Sequence, residues 1–265
     1  MAEETIPNGR GVPFPKRLPV AFRRLPAQPD ATDLVAWWWL CEWDLPDGER
    51  SDQRVLAFPA LNFTVDNEGS AVAGPTSTAT TRMLTGSGWV IGALLKPAAT
   101  PVFTADPGSL RDRLEPVDLP DLHARVAELA GSGHLDGATD VVSQWLVGRA
   151  GDLAHSARAA NLMWHLATTG RHITSLTSLA GAVGISQSGL YRLARRYVGV
   201  SPYDMVRRRR LQEIAEHIRD NPQESLAGVA GHFGLTDQAH MNREFKAAFG
   251  ITPGDYRSEC TSTRT

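Results

Sequence analysis

A twelve-residue pattern in the last third of the chain recurs fifty positions later. Ser175-Leu176-Thr177-Ser178-Leu179-Ala180-Gly181-Ala182-Val183-Gly184-Ile185-Ser186 lies over Ser225-Leu226-Ala227-Gly228-Val229-Ala230-Gly231-His232-Phe233-Gly234-Leu235-Thr236 at an offset of 50. The offset then becomes 51, with Arg192 over Arg243, Arg195 over Lys246, Gly199 over Gly250, Ser201-Pro202 over Thr252-Pro253 and Asp204 over Asp255. A repeat this short must be one small supersecondary unit used twice. Each copy reads as helix, tight turn, helix. Gly184 and Gly234 can take the positive φ that the turn needs. Ser186, and Thr236 or Asp237, can cap the second helix. Gly199 and Gly250 end it, and a proline three residues on starts the next helix.

This is helix-turn-helix grammar, in which the second helix of each unit is the candidate reader of a DNA major groove. The units fall at 175–199 and 225–250, with reading helices near 187–198 and 237–249. A helix from Pro202 to about Asn221 joins them. At 1.5 Å per residue it spans about 27 Å, close to the ~34 Å of one duplex turn. Charge supports the assignment once it is split. The whole chain of 265 residues has a formal net charge of −2. Residues 1–169 carry 14 Lys+Arg against 20 Asp+Glu, a net of −6, whereas residues 170–265 carry 13 against 9, a net of +4. The basic residues are 24 Arg and 3 Lys. Codon bias accounts for that ratio, and it leaves arginine as the available group for guanine or phosphate.

Gly234 to Lys246, followed by Gly250-Ile251-Thr252-Pro253-Gly254-Asp255-Tyr256-Arg257, resembles the signature of the AraC/XylS transcription regulators. Leu190-Tyr191-Arg192 through Gly199-Val200-Ser201-Pro202 matches the first motif of the same family. The resemblance covers about 155–258 and implies a sequence-specific DNA-binding regulator, with RNA polymerase as a partner if it activates. One position departs: Ala194 stands where the family often has an aromatic residue, as Phe245 does in the second unit.

The candidate DNA contacts are Ser188, Tyr191, Arg192, Arg195 and Arg196 in the first unit. In the second they are Gln238, His240, Asn242, Arg243 and Lys246. Arginine can grip guanine O6 and N7 with two hydrogen bonds, and glutamine can do the same with adenine. Arg192 and Arg243 have a second reading, as braces inside each unit. His240 has no partner at metal-ligand spacing. Arg207-Arg208-Arg209-Arg210 point in every direction around one helical turn. Arg210 reads as structural, one or two of the others as phosphate contacts and the rest as solvated.

The first half is patterned differently. Residues 1–20 hold four prolines and little periodicity, which suggests a loose tail or arm. From about 30 to 105 the period is two. Val35, Trp37, Trp39, Cys41 and Trp43 alternate with Ala36, Trp38, Leu40 and Glu42. Leu61, Phe63 and Val65 precede an Asp66-Asn67-Glu68-Gly69 turn. Trp37, Trp39 and Trp43 share a strand face that could line an effector pocket, or form barrel core or a dimer interface. Val90-Ile91-Gly92-Ala93-Leu94-Leu95-Lys96-Pro97 resembles the cupin-like sensor domains found N-terminal to many such regulators.

The expected fold class is therefore α+β with two domains: an N-terminal antiparallel, cupin-like β-barrel, a helical linker, and a C-terminal all-α double helix-turn-helix. The boundaries are a tail at 1–20, the β-rich sensor or dimerisation domain at 21–115, the linker at 116–153, the DNA-binding domain at 155–258 and a tail at 259–265. No secretory signal or membrane-length apolar run is apparent, and Cys41 and Cys260 suit a reducing compartment. The expectation is a cytoplasmic protein without cofactors. All eight histidines lie at position 123 or later, which argues against a histidine metal centre in the strand region. The alternative reading is a DNA-modifying or repair enzyme that uses the helical module for targeting. It would need a reactive group, and Cys41 is the only thiol away from the C-terminus.

Overall fold

The computed structural model describes residues 20–55, 58–76, 78–235 and 237–262. The tail expected over 1–20 lies outside these residues apart from Val20, as do Thr236 and the last three residues. The described residues hold eight strands, seven before the first helix and one after it: β1 (Val20–Leu25), β2 (Val35–Asp44), β3 (Arg50–Val55), β4 (Asn62–Asp66), β5 (Ser70–Ala73), β6 (Thr80–Thr85), β7 (Ser87–Leu95) and β8 (Leu114–Pro116). Six form an antiparallel sheet in the order β1-β2-β7-β4-β5-β8, while β3 and β6 pair as a separate ribbon. β1 and β8 are opposite edges and do not pair, so the sheet is open and the expected barrel is not formed. Alternation along a strand identifies it as a strand but does not say which edges meet.

Helices take the place of a second sheet. A short helix, α1 (Thr100–Phe103), follows a 3-10 turn at Pro97–Ala99. The segment expected as a linker contains α2 (Pro120–Gly131) and α3 (Leu135–Ala150), and α4 (His155–Thr169) follows. These lie on the face carrying Trp38, Leu40, Phe63, Val65, Ile91 and Ala93, all buried. Trp145 of α3 stacks on Phe63 with centroids 5.5 Å apart. Gln28 ties the layers together: its Oε1 accepts from Trp38 Nε1 at 2.7 Å and from Ser143 Oγ at 2.6 Å, and its Nε2 donates to Thr139 Oγ1 at 2.7 Å. A buried indole N–H is thereby satisfied from the helical layer.

On the opposite face Trp39 and Trp43 are tiled on glycines. Trp39 pairs across the strands with Gly92, and Trp43 with Gly88. A Cβ at Gly92 would sit 2.0 Å from the Trp39 indole. We expect Gly92→Val to destabilise the chain by about 1–3 kcal/mol through this overlap. Chemical denaturation measures it, and a change within experimental error would mean that the indole is not held flat on the sheet.

The remaining helices are α5 (Leu176–Val183), α6 (Gln187–Tyr197), α7 (Pro202–Asp220), α8 (Leu226–His232), α9 (Gln238–Phe249) and α10 (Pro253–Ser262). One apolar core runs from Ala31 through the sheet, α4, α5 and α6 to Val206, and a second runs from Leu211 to Tyr256. The first helix-turn-helix unit thus shares its core with the sheet, whereas the second packs on the far half of α7. Thr100 Oγ1 donates to the Tyr197 carbonyl at 2.7 Å, and Trp164 Nε1 to the Pro59 carbonyl at 2.8 Å.

Candidate nucleic-acid interface

The two units are built by the same local devices. Ser175 and Ser225 cap α5 and α8, and Ser186 and Asp237 cap α6 and α9, each accepting a backbone N–H three residues on. Asp237 Oδ1 takes the His240 N–H at 2.6 Å, so Asp237→Ala should cost about 1 kcal/mol of stability, measured by thermal melting. Gly184 and Gly234 take φ of 77° and 62° in the turns, and Gly199 and Gly250 take 83° and 76° at the ends of the reading helices. Ser201 with Asp204 and Thr252 with Asp255 then start α7 and α10 by the same side-chain exchange.

The buried side of α6 is Leu190, Ala194 and Tyr197, and that of α9 is Met241, Phe245, Ala248 and Phe249. The departure at Ala194 is offset within the helix. Tyr197, fully buried, takes the place of Ala248, so the aromatic ring moves by one turn. Its hydroxyl meets Ser156 Oγ at 2.8 Å.

Opposite these cores, Ser188, Tyr191, Arg192, Arg195 and Arg196 are exposed on α6. Helical spacing puts Ser188, Arg192 and Arg195 along the centre of that face. Arg192 and Arg195 have no acidic partner among the described residues, so neither is a brace. Arg196 leans over the Tyr197 ring at 5.2 Å, toward one side.

On α9, Gln238, Arg243 and Lys246 are exposed, and Arg243 and Lys246 occupy the positions equivalent to Arg192 and Arg195. Two expected contacts sit elsewhere. Asn242 is half-buried with its Oδ1 in the interior, away from the centre of the exposed face. His240 Nε2 lies 3.3 Å from Glu244 Oε1, which also takes Arg207 Nε at 2.8 Å, so its ring turns toward α7. Charge and length alone could not separate these two from their neighbours.

The arginine run is architectural. Arg207 pairs with Glu244 of α9, and Arg208 donates to the Thr76 carbonyl at 2.9 Å. Arg209, buried, donates to the Ile173 carbonyl at 2.6 Å, and Arg210 to the Phe233 carbonyl. Each of the four contacts a different segment packed around α7, although Arg207 keeps part of its side chain in solvent.

The repeated, outward-facing basic helices match known proteins over this part of the chain. A helix-turn-helix domain model covers residues 179–259, and a model of a domain of unknown function (DUF6597) covers 23–114. A putative AraC-like transcription regulator of Streptomyces antibioticus is 32% identical over 124 residues, 47% of this chain and 39% of that protein. The probable transcription factor PqrA of Proteus vulgaris is 30% identical over 86 residues, 32% of this chain and 70% of that protein. The chain belongs to the AraC family of transcription regulators. It spans about two fifths of the length of the two Streptomyces relatives, 39% and 40%. Among solved structures, ToxT of Vibrio cholerae matches with a TM-score of 0.40 at 9% identity, over 91% of this chain and 97% of that one.

Within this AraC-family chain the repeat points to one residue that the charge pattern passed over. Ala239 is exposed one turn before Arg243, at the position equivalent to Ser188. A methyl there can meet a thymine methyl. The offset of 51 would have found it, but a search for polar groups does not.

The sensor-side candidates are on one face but not around one cavity. Trp37 meets Phe58 edge-on at 5.3 Å and lies under the Arg24 guanidinium at 5.4 Å, and Trp39 Nε1 donates to Asn62 Oδ1 at 3.0 Å. Of the three, Trp43 alone lines an open hollow of about 620 Å³ with Glu42, Asn67, Gly88 and Trp89.

The enzymatic alternative finds no support in the family. Among the described residues, no group of three or more His, Cys, Asp or Glu is placed to hold a metal, and no helix is long and apolar enough to cross a membrane. Burial, with Glu42 nearby, pushes the Cys41 thiol up to about 11, so little of it is thiolate at neutral pH. Native protein at pH 7.5 should therefore label slowly at Cys41 with a maleimide, and labelling should speed up in urea. Fast labelling of the folded chain would reopen the enzymatic reading.

Proposed function

We propose that the chain is a bacterial transcription regulator that reads two successive major grooves on one face of the duplex, with α6 in one and α9 in the next. One observation carries this reading: the repeat places Arg192 and Arg195 on α6, and Arg243 and Lys246 on α9, at equivalent exposed positions opposite two separate cores. α7, with 19 residues, is about 28 Å long and joins the two units. Gln238 and Ala239 at the start of α9, and Ser188 and Tyr191 at the start of α6, are the short-reach groups nearest the base edges. Arg196 and Lys246 suit phosphate at the margins.

The N-terminal sheet would control this module by sensing a small molecule or by forming a homodimer, with Trp37, Trp39 and Trp43 on the face available for either. If the chain activates, RNA polymerase is a further partner. The cytoplasm, where bacterial DNA lies, is the compartment this function requires.

Selection from randomised duplexes tests the reading. The enriched sites should contain two conserved blocks whose centres are about 10–10.5 bp apart. A single block, or no enrichment over input at low salt, would remove the two-groove account.

A further inference from the structure

Glu244 is the only acid in α9, and it faces α7 rather than solvent. Its side chain is 13% exposed, and Oε1 lies 2.8 Å from Arg207 Nε of α7 and 3.3 Å from Nε2 of His240, one turn earlier on α9. Arg207 and His240 are 41% and 40% exposed, so the acid is the inner member of the three. Arg111, Asp204 and Arg208 line the cleft beside them, with Asp112 near Arg208. Among the described residues, Arg207 and His240 are the groups paired with Glu244.

The position of His240 on the helix makes this pairing informative. At about 100° per residue, His240 lies about 60° around α9 from Arg243, and Lys246 lies at the same angle on the other side. Both therefore belong by position to the margins of the outward arc. Lys246 is exposed there, whereas His240 is half-buried. Glu244 accounts for the difference, because Arg207 fixes the carboxylate and the carboxylate draws the imidazole toward α7. The first unit has no counterpart: the offset of 51 puts Gly189 at the place of His240 and Leu193 at the place of Glu244.

We propose that Glu244 is a positioning residue that sets the base preference of α9 by withholding His240 from the duplex. The proposal rests on the two-groove reading of DNA. His240 is the third residue of α9, in the first turn, where reading helices meet base edges. A free neutral imidazole offers one donor and one acceptor, enough to favour some base edges over others. With the ring held by Glu244, contacts at the start of α9 are left to Gln238 and to the methyl of Ala239. The anchor at Arg207 ties this choice to α7, the helix on which the second unit packs.

Selection from randomised duplexes compares the full wild-type chain with Glu244→Leu, His240→Ala and the double variant. Glu244→Leu installs the residue type that the first unit carries at this place, and Arg207 is exposed enough to be hydrated without its partner. It should change the preference at one base pair of the α9 block by about five-fold or more. His240→Ala should keep the wild-type preference, and the double variant should return to it. No change in Glu244→Leu, a change that persists in the double variant, or a change in His240→Ala alone would overturn the proposal. So would a uniform gain on all sequences, which places the freed ring on phosphate. A second measurement needs no DNA: in long-range proton–nitrogen correlation spectra the His240 imidazole signals should move between the wild type and Glu244→Leu, or Glu244→Gln if the leucine variant does not fold. Identical signals would overturn the hold on the ring. Absence of any enrichment by the wild type would count against the two-groove reading, and the imidazole spectra would still decide the hold.

Discussion

Arg209→Ala is expected to destabilise the chain by about 3–5 kcal/mol, the largest effect of any single arginine in the run 207–210. Arg209 is 2% exposed. Its guanidinium donates to the Ile173 carbonyl at 2.6 Å and faces Glu213 at 3.6 Å. Truncation leaves a carboxylate and a carbonyl in the interior without their cation, and it opens a cavity between α7 and the entry to α5. The cost of stranding a buried charge outweighs the desolvation recovered by deleting the arginine, because only one partner is removed. Arg192→Ala is the control on the exposed face of α6, where the change should stay within about 0.5 kcal/mol. Urea denaturation followed by circular dichroism measures both. Equal, small effects would mean that Arg209 is solvated in solution.

The second large effect is on binding and reverses that order. Arg195→Ala and Arg243→Ala should each weaken binding to a selected site by about 1–3 kcal/mol if the lost contact is bidentate to guanine, with stability unchanged. A guanine reader also relaxes the preference at its own base pair. A phosphate contact instead weakens all sequences alike and lowers the slope of log K against log salt by about 1. Measuring Kd at several salt concentrations for each variant, on matched and mismatched sites, assigns every arginine to one class. The double variant should lose close to the sum, because the two residues lie on separate helices with separate cores. A loss much smaller than either single effect would mean that only one unit touches DNA at a time.

The helical half was legible in the sequence because its signals are local. Caps at Ser186 and Asp237, positive-φ glycines at 184, 199, 234 and 250, and the offset of 50 to 51 each lie within a few residues of the feature they dictate. The sheet was legible only strand by strand. The alternation at Val35–Trp43 and the turn at Asp66–Gly69 correspond to real elements, yet barrel closure depends on whether β1 meets β8, which no local pattern states. The helices α2 to α4 take the face that a second sheet would otherwise occupy.

The arginine run was legible only at Arg210, for a related reason. Three of its four residues bond backbone carbonyls, of Thr76, Ile173 and Phe233, and a carbonyl leaves no charge in the sequence to pair against. The sequence therefore marked only Arg210 as structural and left the other three as phosphate-facing or solvated. The glycines under the tryptophans were equally silent. Gly88 and Gly92 gain their meaning from Trp43 and Trp39 across the strands, more than forty residues away in the chain.

A hydroxyl-radical footprint of the full chain on a selected site tests the central claim most directly. The wild type should protect two segments on one face of the duplex, with centres about 10–10.5 bp apart. Arg195→Ala should lose protection chiefly in one segment, and Arg243→Ala chiefly in the other. A single protected segment, or two segments that both variants weaken equally, would contradict the assignment of one reading helix to each groove.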